Sequence, residues 1–226
     1  MSPCQASRFL GVAAVTAGAL VGAPAPVAVA APCPDIEVVF ARGTFEPPGV
    51  GGIGQSFVDA VRSQAGGRTV GVYAVNYPAS TDFPTAVDGI RDAASHIESM
   101  AANCPGTDMV LGGFSQGAAV MGFVTSEAVP DGAPAENIPD PMPPSVADHV
   151  SAVALFGKPS PRFMQAIGSP PVEIGSLYKA KTIDLCVPND PICADQGDGA
   201  NHSLYNVNGM TTQAATFAMT KLSALS

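Results

Sequence analysis

Five short runs of apolar, β-favouring residues alternate along the chain with segments in which apolar residues recur every three or four positions. The runs are Ile36 to Arg42, Thr69 to Val75, Asp108 to Phe114, Val150 to Gly157, and Ala180 to Cys186. Most of their positions are apolar, which is typical of parallel strands covered by helices on both faces. The pattern predicts a three-layer α/β/α sandwich around a central, mostly parallel five-stranded sheet.

The helical periodicity is clearest between the second and third runs, where the charged residues lie off an apolar stripe. The stripe consists of Phe83, Ala86, Val87, Ile90, Ala94, Ile97 and Ala101. Further helices are predicted near Ile53 to Gln64, Gln116 to Glu127, and Tyr205 to Leu225.

The segment from Asp131 to Ser145 is dense in proline and is therefore predicted to be a loop. It follows a predicted helix, and loops after helices gather at the sheet edge opposite the ligand-binding edge. We therefore expect this loop to face away from ligand and the fold to have no lid.

Residues 1–31 have the features of a secretory signal peptide. Arg8 opens an apolar run that is broken by Pro24 and Pro26, and small residues around Ala30 offer a cleavage site. The alternative is a membrane anchor, but the run is shorter than the about 20 apolar residues that a spanning helix needs. We expect cleavage near Ala30 or Ala31 and no stable membrane span.

The remaining residues, 32–226, are predicted to form a single domain that is secreted, either free or associated with the cell envelope. A lipid anchor on Cys33 is disfavoured because Pro32 precedes it. Arg8 is the only charged residue before Asp35, so removal of the signal changes the net charge from -9 to -10. This acidity argues against a nucleic-acid partner and is interpreted as a property of a soluble exported protein.

The cysteines indicate an oxidising compartment. Cys4 leaves with the signal peptide, and four cysteines remain, which permit three pairings. Cys186 and Cys193 enclose a short loop that can close locally, so the economical pairing joins them to each other and Cys33 to Cys104.

A sharper chemical signal is the sequence Gly113-Phe114-Ser115-Gln116-Gly117, at the junction between the third run and a predicted helix. A strained turn from strand to helix raises a serine hydroxyl above a sheet, and small flanking residues prevent backbone collisions. Such a serine becomes a nucleophile when a neutral imidazole takes its proton and a carboxylate orients that imidazole. The motif predicts Ser115 as the nucleophile.

The histidine is expected after the serine and the acid in the chain. Only His149 and His202 follow Ser115. His149 lies at the start of a strand, hence at the opposite sheet edge, and His96 precedes the serine within an amphipathic helix. These positions favour His202 as the base.

The acid should lie in a loop after a late strand, where the candidates are Asp184, Asp190, Asp195 and Asp198. Asp190 is preferred because a small disulfide ring with two prolines would hold its carboxylate still. The alternative interpretation of Asp190 is a turn residue before proline. Asp184 would project from within a strand.

Two backbone N–H groups are expected to stabilise the oxyanion that forms when an ester is attacked. One belongs to Gln116, the residue after the nucleophile. Thr44, in the turn after the first strand, is the second candidate. Arg42 is interpreted as a charge that ties loops together.

At this point the sequence resembles the cutinase family, and most closely its mycobacterial cutinase-like secreted members. The resemblance covers nearly the whole mature chain and rests on VVFARGT, GVYAVNYPAS, GGFSQGA, CVPNDPIC and the following histidine, His202. Fungal members usually have tyrosine where this chain has Phe114, and the proline-rich insert is longer than usual. Neither departure touches the catalytic residues.

The resemblance implies a small α/β-hydrolase that cleaves carboxylic esters without a metal or organic cofactor. It places the nucleophile, acid and base on Ser115, Asp190 and His202, and the oxyanion donors on Thr44 and Gln116. The two family disulfides fall on the pairs proposed above. The expected substrates are short- to medium-chain acyl esters, with lipids or polyesters such as cutin as further members, and we expect a monomer.

Two other classes of function are compatible with this fold. A secreted binding or antigenic protein with the same fold would have lost catalysis, and a peptidase or thioesterase would use the same triad. Residues on or beside loops at the catalytic edge predict an apolar acyl groove, and they are Tyr77, Pro78, Phe83, Phe163, Met164, Ile167 and Leu204.

Overall fold

The sheet has five strands that follow the predicted apolar runs closely. A computed structural model describes residues 32–130 and 138–223, and the predicted signal peptide, residues 1–31, lies outside them. The strands are β1 (Ile36–Ala41), β2 (Val70–Ala74), β3 (Asp108–Phe114), β4 (Val150–Phe156) and β5 (Thr182–Leu185). They pair in the order β2-β1-β3-β4-β5, and every pair is parallel. The predicted fold class is confirmed.

Six α-helices connect and follow these strands in the described residues. They are α1 (Gly51–Gln64), α2 (Ala86–Asn103), α3 (Gln116–Val124), α4 (Pro161–Ala166), α5 (Ser176–Lys179) and α6 (Met210–Ser223). Short 3₁₀ helices cover Phe83–Thr85, Pro144–His149 and Gly199–Asn206. No helix within these described ranges is long and apolar enough to cross a membrane.

The strand order creates a crevice at one edge of the sheet. From β1 the chain crosses first to β2 on one side and then to β3 on the other. Loops that leave the carboxyl ends of two such strands diverge, and ligands bind in α/β proteins at this point. Thr44 follows β1 and Ser115 follows β3, so both lie at this crevice.

Each face of the sheet carries its own apolar core. Helices α1 and α6 pack together over one face, and α2 and α3 cover the other. On the α1 face, the rings of Phe40, Phe57 and Phe156 lie 5.5 to 6.3 Å apart between centroids. The strands are therefore buried from both sides, as their continuous apolar runs predict.

Two disulfides hold the ends of the fold. Cys33 is bonded to Cys104, which joins the start of the described chain to the end of α2. Cys186 is bonded to Cys193, and this bond closes a small ring directly after β5.

The prediction of a helix from Tyr205 to Leu225 is wrong at its start. Tyr205 lies in the 3₁₀ helix Gly199–Asn206, and α6 begins at Met210. Gly209, with φ 85°, separates the two helices. The short helices α4 and α5 were not predicted, because four to six residues are too few to display a helical period.

Candidate active site

Ser115 occupies a strained turn between β3 and α3. Its φ and ψ are 55° and -118°, a conformation that side chains rarely adopt. The turn is tight because a Cβ added at Gly113 would lie 2.2 Å from the Gly117 carbonyl oxygen, and one at Gly117 would lie 2.0 Å from that of Ala41. Only glycine fits at either flanking position, as the motif predicts.

His202 lies between Ser115 and Asp190. Its Nε2 is 2.8 Å from the serine Oγ, and its Nδ1 is 2.8 Å from the Asp190 Oδ2. With the proton on Nδ1, the ring donates a hydrogen bond to the carboxylate, and its Nε2 accepts a hydrogen bond from the serine hydroxyl. The three side chains that are distant in sequence thus form one hydrogen-bonded chain.

The Asp190 carboxylate has no solvent exposure and is satisfied by donors from its surroundings. Its Oδ1 accepts a hydrogen bond from the Ile192 N–H at 2.9 Å, and its Oδ2 accepts one from the Tyr205 hydroxyl. Burial, followed by the bond to Asp190, raises the pKa of Tyr205 above its ordinary value. The phenol therefore stays protonated and acts as a donor.

Tyr205 is the main site residue that sequence reasoning missed. Side chains three positions apart eclipse one another in a 3₁₀ helix, so His202 and Tyr205 approach Asp190 from the same side. The Val187 N–H donates to the Tyr205 hydroxyl at 3.2 Å, which fixes that oxygen. The i, i+3 spacing of His202 and Tyr205 could have indicated this contact. The apolar period that begins at Tyr205 predicts instead that this residue starts the last helix.

Two further residues shape the space around the imidazole. The Phe114 ring stacks on the His202 ring with centroids 4.8 Å apart. Gly157 has φ 58°, and a Cβ there would lie 3.0 Å from His202 Cε1 and 3.2 Å from Asp190 Oδ2. Both residues restrict the imidazole to one orientation, and neither role was inferred from the sequence.

The turn after β1 carries Thr44, the second predicted oxyanion donor, which lines the same cavity as Ser115. The Gly43 N–H donates to Glu46, and the Phe45 N–H donates to the Ala79 carbonyl oxygen. Between them, the Thr44 N–H has no acceptor among the described residues. The Thr44 hydroxyl donates to the Gln116 side-chain oxygen at 3.3 Å, which joins this turn to the start of α3.

Gln116 is fixed by its place at the start of α3 and by a hydrogen bond of its side chain. It is the first residue of α3, where a backbone N–H has no acceptor within the helix. Its side-chain amide donates to the Ser80 carbonyl oxygen at 3.0 Å. The N–H groups of Thr44 and Gln116 thus have no acceptor in the part of the chain that the structure describes, and the side chains of the two residues are bonded to each other.

Arg42 joins two loops through hydrogen bonds, as the sequence predicts. Its buried guanidinium donates to the carbonyl oxygens of Tyr77, at 2.6 Å, and of Glu46, at 2.9 Å. The Tyr77 hydroxyl donates in turn to the Arg42 carbonyl oxygen. Because these bonds join the turns after β1 and β2, they hold the Thr44 segment in place.

The other candidate residues lie outside this arrangement. His149 ends the 3₁₀ helix that precedes β4, at the opposite sheet edge. The Nε2 of His96 bonds the Glu37 carboxylate at 3.0 Å. Asp184 forms an ion pair with Lys158 at 3.2 Å, and Asp198 caps the 3₁₀ helix that carries His202.

An apolar cavity of about 830 Å³ opens at the triad and extends between α2 and α3. Four polar residues lie at its catalytic end, namely Thr44, Ser115, Gln116 and His202. Phe83, Phe163, Met164 and Ile167 line it as predicted for an acyl groove, whereas Tyr77, Pro78 and Leu204 are not among its lining residues.

The expectation that the proline-rich loop faces away from the site is wrong for its described part. Residues 138–142 line the same cavity as Ser115 and His202. Topology correctly predicts that the loop leaves α3 at the far edge, but the chain then returns over the groove between α2 and α3. The first half of the loop, residues 131–137, lies outside the described residues.

No group of three or more His, Cys, Asp or Glu side chains in the described part of the chain has the geometry to hold a metal ion. The chemistry available at this site is that of a hydroxyl, an imidazole and a carboxylate beside two backbone donors.

The chain is similar to several known proteins. A family model described as Cutinase matches residues 32–222. A Mycobacterium tuberculosis protein named "Probable carboxylesterase Culp5" is 60% identical over 74% of this chain and 96% of its own length. "Carboxylesterase Culp1" of the same organism is 50% identical over 98% of both chains. A Trichoderma reesei cutinase in complex with a phosphonate inhibitor superposes with a TM-score of 0.63 and 34% identity, over 84% of this chain and 78% of that one.

Replacement of Tyr205 by phenylalanine tests the solvation of the buried carboxylate. Phenylalanine keeps the packing but removes one hydrogen bond to a charged group, so the free energy of unfolding should fall by about 2 kcal/mol. Urea denaturation measures this change. Tyr178→Phe is the matched control, because that buried tyrosine lies in the core on the other face of the sheet. Equal losses in the two variants would contradict the role assigned to Tyr205.

Proposed function

Because the chain belongs to the cutinase family and is a carboxylic ester hydrolase, we propose that it cleaves its substrates through an acyl-enzyme on Ser115. His202 is the general base and Asp190 the residue that orients it. The observation that carries this proposal is the pair of 2.8 Å contacts that join the hydroxyl, imidazole and carboxylate.

The first half of the reaction forms the acyl-enzyme. The Ser115 Oγ attacks the ester carbonyl carbon while its proton passes to the Nε2 of His202. The resulting tetrahedral intermediate collapses, the bond to the alcohol oxygen breaks, and the imidazolium returns the proton to the leaving alcohol. Asp190 stabilises the imidazolium through Nδ1 and remains ionised throughout.

The second half regenerates the enzyme. A water molecule replaces the alcohol, gives a proton to His202, and attacks the acyl-enzyme carbonyl carbon. Collapse of the second intermediate breaks the bond to Ser115 and returns the proton to its oxygen, which releases the carboxylic acid. The same three side chains therefore serve both half-reactions.

Both intermediates carry an oxyanion, and we assign its stabilisation to the N–H groups of Thr44 and Gln116. Thr44 and Gln116 line the same cavity as Ser115, and neither N–H has an acceptor among the described residues. Donors that are fixed before the reaction need no reorganisation when the charge develops. The bonds of Arg42 and of the Gln116 side chain supply this rigidity.

The proposed substrates are esters with an apolar acyl group, including lipids and polyesters. The names of the relatives, carboxylesterase and cutinase, and the apolar cavity beside Ser115 support this range. That the protein acts as a monomer stays a prediction.

We also propose that the protein is exported and that residues 1–30 or 1–31 are removed. Its two disulfides support an oxidising compartment, since such bonds are rare in the cytosol. When the full chain is expressed in a secreting bacterium, the intact mass of the protein in the medium should correspond to a start at Ala31 or Pro32. Retention of an uncleaved chain in the cells would contradict export.

Replacement of Ser115 by alanine should lower kcat by about ten-thousandfold or more, because no nucleophile remains. Turnover of a p-nitrophenyl ester measures this loss. Ser63→Ala, on the exposed side of α1, is the control and should retain activity. Turnover at the wild-type rate in the Ser115 variant would eliminate the acyl-enzyme mechanism.

Replacement of Asp190 by asparagine should lower kcat by about a thousandfold or more, since an amide cannot stabilise the imidazolium. Asp195→Asn is the matched control, because Asp195 is exposed in the same loop. Steady-state kinetics on both variants identifies the acid. A larger loss in the Asp195 variant would move that role away from Asp190.

A further inference from the structure

The turn that carries Thr44 is closed by two reciprocal hydrogen bonds between its first and last residues. The Glu46 N–H donates to the Gly43 carbonyl oxygen at 3.2 Å, and the Gly43 N–H donates to the Glu46 Oε2 at 2.6 Å. Phe45 has φ 65°, a value that the third residue of a type II turn adopts. The main chain and the side chain of Glu46 therefore both bond the residue that precedes Thr44.

The first of these bonds also sets the direction of the Thr44 N–H. The peptide group between Gly43 and Thr44 is planar and trans, so its carbonyl oxygen and its N–H point in opposite directions. A bond that holds the Gly43 carbonyl oxygen thus orients the Thr44 N–H as well. That N–H has no acceptor in the described ranges, and it is the group to which we assign part of the oxyanion stabilisation.

The second carboxylate oxygen of Glu46 bonds the start of α1. Its Oε1 accepts a hydrogen bond from the Gly52 N–H at 2.7 Å. The first turn of α1 contains no acidic residue, and the side chain of Val50, which precedes the helix, cannot cap it. A carboxylate at this place is stabilised by N–H groups that lack a partner in the helix and by the helix dipole. Glu46 thus caps α1 and joins the Thr44 turn to a helix of 14 residues.

The backbone around Glu46 holds this carboxylate closely. A Cβ added at Gly51, which has φ 72°, would lie within 2.5 Å of both carboxylate oxygens. The Arg42 Nε donates to the Glu46 carbonyl oxygen at 2.9 Å. The side chain of Glu46 and its main chain are therefore both fixed by neighbouring groups.

We propose that Glu46 is a positioning residue for ester hydrolysis, which holds the Thr44 N–H in the direction of the oxyanion before the substrate binds. The inference rests on the proposed function, in which Thr44 supplies one of the two donors. A donor that is already oriented needs no reorganisation when the negative charge develops. One carboxylate that bonds the turn and the helix at the same time provides this orientation.

Two substitutions of Glu46 test the proposal. Glu46→Ala removes both side-chain bonds, whereas Glu46→Gln keeps the shape and one accepting oxygen. Both half-reactions pass through an oxyanion, so both should slow together. For a p-nitrophenyl ester, kcat should fall on the order of tenfold or more in Glu46→Ala and by less in Glu46→Gln, with KM close to the wild-type value.

A trifluoromethyl ketone inhibitor gives a second readout of the oxyanion. The Ser115 Oγ adds to its carbonyl carbon and the serine proton passes to His202, so the carbonyl oxygen becomes an oxyanion and no group leaves. Its inhibition constant should rise by about the factor by which kcat falls, because the same charge is stabilised. Neither this constant nor KM depends on the fraction of enzyme that is folded.

Asp35→Ala and Asp35→Asn are the matched controls. The Asp35 Oδ2 accepts hydrogen bonds from the N–H and the hydroxyl of Thr69, each at 2.7 Å, so this carboxylate also joins two segments. Asp35 precedes β1, however, and therefore lies at the sheet edge opposite Thr44. Both controls should keep the wild-type kcat, KM and inhibition constant.

An unchanged inhibition constant in Glu46→Ala, or an equal rise in Asp35→Ala, would overturn the role of Glu46 and leave the triad intact. Turnover of the same ester at the wild-type rate by the Ser115→Ala enzyme would instead overturn the proposed function itself.

Discussion

The buried carboxylate of Asp190 organises the last third of the chain. A charge without access to water is stable only when hydrogen bonds replace its lost hydration. Here the donors come from three places: the Ile192 N–H inside the disulfide ring, the Tyr205 hydroxyl, and Nδ1 of His202. All three donors bond the same carboxylate. The disulfide ring after β5 and the 3₁₀ helix that carries His202 therefore lie together, and His202 contacts Ser115 at the carboxyl end of β3. Gly157 is the residue at which this convergence leaves no room for a side chain.

The nucleophile is held by a different constraint, which acts on the backbone. A residue in the conformation of Ser115 costs about 1–3 kcal/mol and persists only when its surroundings determine it. The Ser115 N–H is bonded to the Phe156 carbonyl oxygen at the end of β4, and the two flanking glycines allow the neighbouring backbones to approach. The central strands of the sheet therefore fix the position of the hydroxyl. The helical segment near the chain end brings the imidazole to it.

Much of this arrangement could be predicted from the sequence, because burial on both faces leaves an unbroken apolar run for each central strand. The five strands start and end within one or two residues of their predicted bounds. The glycines on either side of Ser115 correctly predict the tight turn between β3 and α3. The position of Tyr205 could not be predicted in this way. Its apolar neighbours fit an α-helical period, but a turn at residues 207–209, in which Gly209 has φ 85°, separates it from α6.

The part of the cavity wall formed by residues 138–142 was missed for a different reason. Strand order fixes the edge at which a loop leaves the sheet, but it does not determine where the chain goes next. Residues 138–142 return across α2 and α3 because Met142 is buried in the core on that face. This packing depends on the shape of the groove between two helices, which no local pattern of residues describes. The same return path gives the proline-rich segment a place beside the ester site.

The chemical identity of the nucleophile can be measured directly. A fluorophosphonate reacts only with a serine that is activated by its neighbours, and peptide mass spectrometry locates the adduct. The hydrogen-bonded chain from Asp190 through His202 predicts one adduct per protein molecule, on Ser115. No adduct, or an adduct on another serine, would contradict the proposed catalytic arrangement.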